Sequence, residues 1–289
     1  MKISASIIVK NETSCIETML QSIMWIDEIV ICDTGSDDNT IELAKKYTPF
    51  VYDDYKWNDN FAEARNHCLN KCTGDWILII DADEVLMTPI EQIREEIEKA
   101  WNEKIINVKT KWKDSNEFHK SIRLFKRCPE IFWKWAIHNY INTTWTYEAD
   151  IMIEYWYSEA HKKDKDRALR ILLKEVTNDS KLVREKYYLA REYRYRKDYI
   201  TALYRYDEYL KVANRIPEKA DAYLMAARCL WNLHKWEQAR EYCMKAIINN
   251  PNFKEALLFM WDISWKEQWD VFRKFAEIAN NNNVLFVRK

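Results

Sequence analysis

"GDWILIIDADE", residues 74–84, places five consecutive apolar residues between a Gly-Asp pair and a cluster of three carboxylates. The apolar run Trp76–Ile80 is short and rich in isoleucine, which is typical of a strand buried on both faces. Asp81, Asp83 and Glu84 follow directly. Because neighbouring carboxylates repel one another and are costly to desolvate, a positive partner is expected beside them, and a divalent cation is the first candidate.

Strand and helix patterns alternate through the first 90 residues. The predicted strands are residues 4–10, 27–35, 50–55 and 75–81, and the predicted helices are residues 11–24, 36–47 and 60–72, with Ser36 as the N-cap of the second helix. This rhythm predicts a largely parallel, Rossmann-like sheet covered by helices, in which ligands bind at the carboxyl ends of the strands. The GxGxxG fingerprint of dinucleotide-binding folds is absent after the first strand.

The two glycines of the chain, Gly35 and Gly74, fall next to predicted strands and suit a tight turn or a close approach of two backbones. Residues 91–101 then predict a charged helix, and residues 105–112, 120–127 and 135–145 predict strand-like pieces. Six of the fourteen tryptophans lie between Trp101 and Trp156, so the aromatic side chains of this stretch either wall a pocket or fill the core.

Residues from 161 onwards predict helices arranged as a repeat. The segments that start at Lys186 and Tyr223 align at an offset of 37 residues, and residues 254–279 form a degenerate third copy that would cap the array. In the alignment Leu189, Ala190, Tyr193, Ala202, Tyr206 and Tyr209 fall on Ala226, Ala227, Leu230, Ala239, Cys243 and Ala246. Small residues at helix crossings, with Pro251 after the second copy, are typical of tetratricopeptide-like repeats. We therefore predict an α/β domain over residues 1–160 and an all-α repeat domain over residues 161–289.

The composition predicts a water-soluble protein, since 31% of the 289 residues are charged. No apolar run approaches the roughly 18 residues that span a bilayer, and the N-terminal run is too short for a secretory signal, so a cytoplasmic location is expected. The seven cysteines include no CxxC pair. We expect buried free thiols, although Cys68 and Cys72 have the i,i+4 spacing of a chelating pair.

The net charge of −1 hides an asymmetry between the two halves of the chain. Residues 1–160 carry 18 Lys and Arg against 28 Asp and Glu, whereas residues 161–289 carry 27 against 18. Two interpretations stay open: an acidic half that handles a cation with a basic half that docks on an anionic partner, or repeat helices with ordinary solvated Lys and Arg faces.

Asp81 and Asp83 form an Asp-x-Asp pair. Residues two apart on a strand point the same way, so such a pair at a strand end directs two carboxylates to one side of a cleft. Hard carboxylate oxygens suit Mg²⁺ or Mn²⁺, which keep positions open for substrate phosphates.

Four motifs, in their order and spacing, resemble the GT-A domain of family 2 glycosyltransferases: SIIVKNE (6–12), VICDTGSDDNT (30–40), FAEARNHCL (61–69) and GDWILIIDADE (74–84). The segment RALRILLKE (167–175) and the repeats resemble the subgroup that carries tetratricopeptide-like tails, which includes the peptide S-glycosyltransferases of glycocin biosynthesis. The resemblance covers nearly the whole chain and is specific to the family, not to a sugar or an acceptor.

The resemblance implies a site for a UDP-sugar. The implied contacts of uracil and ribose are Val9, Glu12, Asp33 and Ser36. Arg65 resembles the arginine that sits near the diphosphate. Asp83 would bind the metal that bridges the diphosphate, and Asp81 would contact the ribose or the water shell of the metal. A cation there meets the growing negative charge of the leaving nucleoside diphosphate.

An inverting transfer also needs a base that takes the proton of the acceptor. Members of the subgroup commonly show a His-Glu pair and a later His-x-Gly-Tyr motif, where this chain reads AIHNYI (136–141) and IEYWY (153–157). His138 is kept but is followed by Asn139, and Glu154 and Trp156 replace the second His and the Gly. Glu154 could serve as an oxygen ligand of the metal, and His138 as ligand, base or hydrogen-bonded structural residue.

The sequence therefore predicts an inverting hexosyltransferase that uses Mn²⁺ or Mg²⁺ and moves a sugar from a UDP-sugar to a peptide, protein or glycan. The repeats would hold the acceptor or a second copy of the chain as a homodimer. Two alternatives stay open. One is a catalytically impaired scaffold, favoured by the altered His and Gly positions, and the other is sugar transfer to nucleic acid, favoured by the interleaved aromatic and basic residues of YYLAREYRYRKDY (187–199).

Overall fold

The structure is a computed structural model that describes residues 1–142, 146–156, 164–264 and 270–279. The chain divides into two compact units, Met1–Arg167 and Ala168–Lys289. The boundary predicted between residues 160 and 161 lies outside the described residues. No helix in these described ranges combines the length and the apolar character needed to cross a bilayer.

Within its described residues, the first unit contains ten strands and four helices, followed by the start of a fifth helix. The strands are β1 (Ile3–Val9), β2 (Glu28–Asp33), β3 (Val51–Tyr52), β4 (Trp76–Ile79), β5 (Glu84–Leu86), β6 (Ile105–Trp112), β7 (Phe118–Lys126), β8 (Trp133–Lys134), β9 (Tyr140–Ile141) and β10 (Tyr147–Tyr155). The helices are α1 (Ile16–Ile23), α2 (Thr40–Ala44), α3 (Phe61–Leu69), α4 (Ile90–Lys99) and α5 (Arg167–Asn178).

Eight of these strands form one sheet in the order β3-β2-β1-β4-β7-β6-β10-β5. The four strands β3, β2, β1 and β4 run parallel, as the βαβ rhythm predicts, and β7 adds to β4 in the antiparallel sense. Val9 pairs with Asp33, so β1 and β2 end side by side. The carboxyl ends of β1, β2 and β4 therefore share one edge of the sheet.

Both faces of the sheet are covered, which explains why its strands are continuous apolar runs. On one face, Ile3 and Ile7 of β1 are fully buried in the same core as Leu20 of α1 and Ile93 of α4. On the other face, Ile77 of β4 belongs to a second core with residues of α3 and of the β8–β9 hairpin. Each fully buried isoleucine contributes roughly 1.5–3 kcal/mol of hydrophobic stabilisation.

Both glycines do what the sequence predicts. Gly35 has φ +106° in the turn after β2, a conformation that a residue with a Cβ rarely adopts. Gly74 approaches β1 so closely that a Cβ would lie 2.7 Å from the backbone nitrogen of Ser4.

The loop between β2 and α2 differs from the prediction. Helix α2 begins at Thr40 with Asn39 as its N-cap, so the prediction that Ser36 caps this helix is wrong. The physical reason is local: the Asp33 carboxylate accepts hydrogen bonds from the backbone amides of Gly35 and Ser36, both at 2.8 Å, and the Asp38 carboxylate accepts from the amide of Thr40 at 3.0 Å. Such side-chain bonds to the backbone compete with helix formation and hold residues 34–39 in turns.

The second unit is helical throughout its described residues. After α5 its helices are α6 (Val183–Tyr195), α7 (Tyr199–Leu210), α8 (Ile216–Asn232), α9 (Trp236–Asn249), α10 (Lys254–Ile263) and α11 (Asp270–Ile278). Of the twelve residues aligned at the 37-residue offset, all but Tyr193 are buried. The predicted tetratricopeptide-like repeat is confirmed, because the aligned residues form the core between the helices.

The tyrosines of this unit are largely core residues. Tyr187, Tyr206 and Tyr209 are fully buried, and the hydroxyl of Tyr187 donates a hydrogen bond to the buried carboxylate of Asp221. The cysteines behave in the same way, since all seven are free and only Cys128 is not buried. The prediction of buried free thiols is therefore confirmed, and Cys72 lies beyond the end of α3.

Candidate active site

A cleft of about 260 Å³ opens at the carboxyl ends of β1 and β4. One wall is the end of β1 with the residues that follow it, up to Glu12, and another is the turn Asp81–Asp83 after β4. Arg65 of α3 lines the cleft between them. Five residues predicted for the site from their motifs thus meet in one place: Val9, Glu12, Arg65, Asp81 and Asp83.

Asp81 is held by two arginines. The Arg65 guanidinium donates to Oδ1 of Asp81 at 2.7 Å, and the Arg123 guanidinium lies 3.6 Å from Oδ2. Desolvation alone would raise the pKa of Asp81, but the charges of Arg65 and Arg123 outweigh it and lower that pKa to about 2. Asp81 is therefore ionised at neutral pH, and the two arginines fix the orientation of its carboxylate.

Glu84 extends the same network below the cleft. Its carboxylate accepts hydrogen bonds from Arg123 at 2.5 Å and from the backbone amide of Asp81 at 2.8 Å. Glu84 is only 3% exposed, and burial raises its pKa to about 7, against the opposing charge of Arg123. The positive partner that the sequence requires for Asp81 and Glu84 is thus supplied by arginines of the chain.

Asp83 lies in a turn, so the strand alternation that was expected to direct Asp81 and Asp83 to the same side does not apply. Strand β4 ends at Ile79, and Glu84 begins β5 after the turn. The backbone carbonyl of Asp83 accepts a hydrogen bond from the amide of Trp156 at 2.8 Å, so the turn is tied to the end of β10. Asp81 and Asp83 line the cleft because of this turn, not because of strand alternation.

Glu12 begins the loop before α1 and is anchored through its neighbours. Its backbone amide donates to the hydroxyl of Thr40 at 2.8 Å, and its carboxylate accepts from the thiol of Cys15 at 3.2 Å. Burial, followed by the nearby Glu12 charge, raises the pKa of the Cys15 thiol to about 12. Cys15 is therefore a neutral hydrogen-bond donor that orients Glu12.

Asp33 and Ser36 take structural positions beside the cleft. The side chain of Asp33 is 2% exposed and binds the turn amides described above, and the Ser36 hydroxyl accepts from the amide of Asn11 at 2.9 Å. Neither is among the described residues that line the cleft, although Asn11 and Thr34, their direct neighbours, are. Asp33 and Ser36 hold the ends of β1 and β2 together.

His138 and Glu154 are not among the described residues that line the cleft. His138 has φ +49° in the loop between β8 and β9, and Ala136 of that loop accepts a backbone hydrogen bond from Phe61 at 2.8 Å. The Glu154 carboxylate is 3.2 Å from the ammonium of Lys111 and accepts from the indole of Trp156 at 3.2 Å. Both residues stand on segments that contact the walls of the cleft.

A third wall of the cleft was not predicted from the sequence. It consists of Trp57 and Phe61, whose rings meet edge to face at 4.8 Å, and of Asp164 and Arg167. The guanidinium of Arg167 lies 5.1 Å from the centre of the Phe61 ring. Among the described residues, the aromatic lining therefore comes from residues near α3 and not from the tryptophan-rich stretch.

Arg123 is the other functional residue that sequence reasoning missed. A signal was present, because Arg123 interrupts the apolar residues Ile122, Leu124 and Phe125 of a predicted strand, and a charge inside such a strand needs a partner. Which carboxylates it meets depends on the pairing of β7 with β4, and the sequence does not state that pairing.

Residues 4–156 match the family model of glycosyl transferase family 2. The chain belongs to this family. The α/β unit is thus the GT-A-like part of the chain, and the helical repeats follow it.

Individual relatives match shorter parts of the chain. A tetratricopeptide-repeat-containing protein of Synechococcus elongatus is 38% identical over 88 residues, which are 30% of this chain and 21% of that protein. The SPbeta prophage-derived glycosyltransferase SunS of Bacillus subtilis is 38% identical over 85 residues, which are 29% of this chain and 20% of SunS. The matched segments thus span only about a fifth of the length of these relatives.

Among solved structures, Staphylococcus aureus TarS in complex with UDP-GlcNAc superimposes with a TM-score of 0.48 and 13% sequence identity. The superposition covers 89% of this chain and 91% of the TarS chain.

Proposed function

We propose that this chain is an inverting, metal-dependent glycosyltransferase that moves a sugar from a UDP-sugar to a peptide, protein or glycan. The observation that carries this function is the meeting of Asp81, Asp83 and Glu12 in one cleft at the carboxyl ends of parallel strands, where open α/β sheets bind their ligands. Family membership supports glycosyl transfer as the reaction class. The uridine nucleotide and the inversion come from the resemblance of the four motifs.

The donor occupies the cleft in this proposal. Val9 and Glu12 contact the uridine part, and Asp81 contacts the ribose or the water shell of the metal. Asp33 and Ser36 act on the nucleotide through the loop ends that they hold, since both side chains bond to that loop. Arg65 orients Asp81.

Asp83 is the proposed metal ligand. Its hard oxygens suit Mg²⁺ or Mn²⁺, which are commonly bound by one or two carboxylates together with substrate phosphates. The described ranges contain no group of three or more His, Cys, Asp or Glu residues that could hold a metal by themselves, and in this proposal donor phosphates and water complete the shell. When bound, the cation supplies positive charge beside the leaving diphosphate.

His138 is the proposed base, and Glu154 is the proposed further metal ligand. The backbone bond between Phe61 and Ala136 supports the first role, because it holds the loop of His138 against the cleft wall. The bond between Trp156 and Asp83 supports the second, because it ties the end of β10 to the metal turn. The ion pair of Glu154 with Lys111 favours the second candidate function, a catalytically impaired scaffold.

The helical unit is proposed to hold the acceptor or a second copy of the chain. Arg194, Lys197 and Arg228 line a groove of this unit together with Tyr195 and Trp231. Cationic and aromatic side chains of this kind suit a peptide segment with acidic residues.

The test is a binding and hydrolysis screen of the whole chain with UDP-glucose, UDP-GlcNAc, UDP-galactose and a GDP-sugar, with Mn²⁺, Mg²⁺ or a chelator. We expect metal-dependent thermal stabilisation by a UDP-sugar, and we expect Asp83→Asn to lose it. Asp114→Asn is the matched control, since Asp114 is exposed and lies outside the cleft. Asparagine also tolerates the positive φ of 64° at that position.

Stabilisation by none of the four donors with either metal would argue for the scaffold. If a UDP-sugar and metal still stabilise Asp83→Asn, the donor site remains supported but Asp83 is not the metal ligand.

A further inference from the structure

The cations of the donor cleft differ in what they already bind. Arg65 is committed to Asp81 through its 2.7 Å ion pair. Lys10 lines the cleft but is exposed, so its flexible ammonium is solvated. Arg167 is half-buried and lines the same cleft.

Arg167 has no ion pair with a carboxylate in the described part of the chain, and its guanidinium lies 5.1 Å from the centre of the Phe61 ring. An aromatic ring touches the flat face of a guanidinium and leaves the in-plane N–H donors for other partners. The Phe61 ring itself is fixed edge to face against Trp57. The charge of Arg167 is therefore oriented by packing and is not neutralised.

We propose, on the basis of the proposed function, that Arg167 is the residue that binds the β-phosphate of the nucleoside diphosphate, whereas Arg65 positions Asp81. In the transfer, the bond between the anomeric carbon and the β-phosphate oxygen breaks and its electron pair leaves with that oxygen. The acceptor atom forms the new bond to the anomeric carbon, and its proton passes to the base. Arg167 acts on the oxygen that gains charge, which is where a fixed donor stabilises a transition state most.

Guanidinium and phosphate are matched in geometry as well as in charge. Two parallel N–H donors of arginine meet two phosphate oxygens, and such charge-assisted bonds are about twice as strong as neutral ones. A lysine at this position keeps the charge but loses the paired geometry and the stacking on Phe61.

The experiment measures the affinity of the whole chain for UDP, UMP and uridine by calorimetry with Mn²⁺. Because the β-phosphate is present only in UDP, Arg167→Gln should weaken UDP by roughly 10- to 100-fold and leave UMP and uridine within about twofold. Arg167→Lys should recover part of the UDP affinity. Arg170→Gln is the control, since Arg170 is exposed on the same helix and lies outside the cleft lining.

Thermal melting of each variant shows whether it is folded. The rate of UDP-sugar hydrolysis adds a catalytic readout. In that assay Arg167→Gln should lower kcat more than it raises KM. If the wild-type chain does not bind UDP, the proposed function fails. If the wild-type chain binds UDP and Arg167→Gln binds it equally well, only the role of Arg167 is wrong. An equal loss for UDP, UMP and uridine would also overturn it, because that result indicates a structural role.

Discussion

Arg123 neutralises two carboxylates of the acidic cluster at once. Its guanidinium lies 2.5 Å from Glu84 and 3.6 Å from Asp81. The side chain of Arg123 is 17% exposed and that of Glu84 only 4%, so the pair is largely removed from water. Removing one partner of a buried pair leaves the other charge uncompensated, which costs more than the pair itself contributes.

We therefore expect Arg123→Met to lower the free energy of unfolding by about 3 kcal/mol, as measured by urea unfolding at pH 8. The Met side chain fills similar space, so the loss is electrostatic. The control is Arg94→Met, which breaks the ion pair with Asp27 whose side chains are 33% and 34% exposed. That exposed pair should change stability by less than about 1 kcal/mol. Equal losses for both variants would contradict the network described here.

At the residue scale, sequence reasoning found the residues that occur in local motifs. Asp81, Asp83 and Arg65 were predicted because their motifs are contiguous, and the structure brings them into one cleft. Arg123 and Arg167 were missed because they reach the site through strand pairing and through the fold of a distant segment. The sequence predicted a metal as the positive partner of the carboxylates, but arginines pair with Asp81 and Glu84. Composition and spacing cannot distinguish a metal partner from an arginine partner.

At the element scale, Glu28 joins three segments of the sheet edge. At the start of β2, its carboxylate accepts hydrogen bonds from the hydroxyls of Ser4 and Thr73 and from the ammonium of Lys2. Burial alone would raise the pKa of Glu28, but these bonds outweigh it and lower the pKa from 4.5 to about 2.

The lowered pKa of Glu28 determines how its contribution to the free energy of unfolding depends on pH. A carboxyl whose folded pKa lies below its unfolded pKa stabilises the fold above the unfolded value and loses this contribution as pH falls through the folded value. The window for Glu28 is therefore about pH 4.5 down to about pH 2, and the contribution above it is at most about 3 kcal/mol.

We expect Glu28→Gln to destabilise the chain at pH 7 and to lose more than half of that difference from the wild type near pH 3, as measured by urea unfolding at each pH. Glu17→Gln serves as control, because the side chain of Glu17 is 44% exposed and lies 3.8 Å from Lys46. A difference for Glu28→Gln that stays constant down to pH 3 would show that the ionised form is not what the fold stabilises.

Several helices and strands could be predicted from the apolar pattern of the sequence. The strands of the parallel core and the helices α1, α3 and α4 follow apolar periodicity, which reports burial directly. Helix α2 begins later than predicted because Asp33 and Asp38 bond to the backbone of the preceding loop. Those bonds are local contacts between side chain and backbone, and apolar periodicity does not report them.

At the scale of the whole molecule, the repeat was predictable because its small and large residues mark helix crossings, and these residues are the buried ones. The charge asymmetry between the two halves left two interpretations open. The burial of tyrosines in the basic half bears on the first, in which this half docks on an anionic partner such as nucleic acid. Tyr187 of the interleaved stretch 187–199, together with Tyr206 and Tyr209 beyond it, has no exposed surface. They cannot stack on bases while the helices are folded.

We therefore expect the whole chain to bind single-stranded DNA only in the non-specific range of roughly 10⁻⁴ to 10⁻⁶ M at physiological salt, with an affinity that falls steeply as salt rises. Fluorescence anisotropy with a labelled oligonucleotide at two salt concentrations measures this. The discriminating variant replaces the exposed tyrosines, Tyr195 and Tyr204, which are 53% and 59% exposed, by alanine. Base stacking contributes about 1–3 kcal/mol per base, so a tight complex that this variant weakens would restore nucleic acid as an acceptor. Unchanged weak binding leaves the basic half as a surface for acidic peptides or as solvated repeat helices.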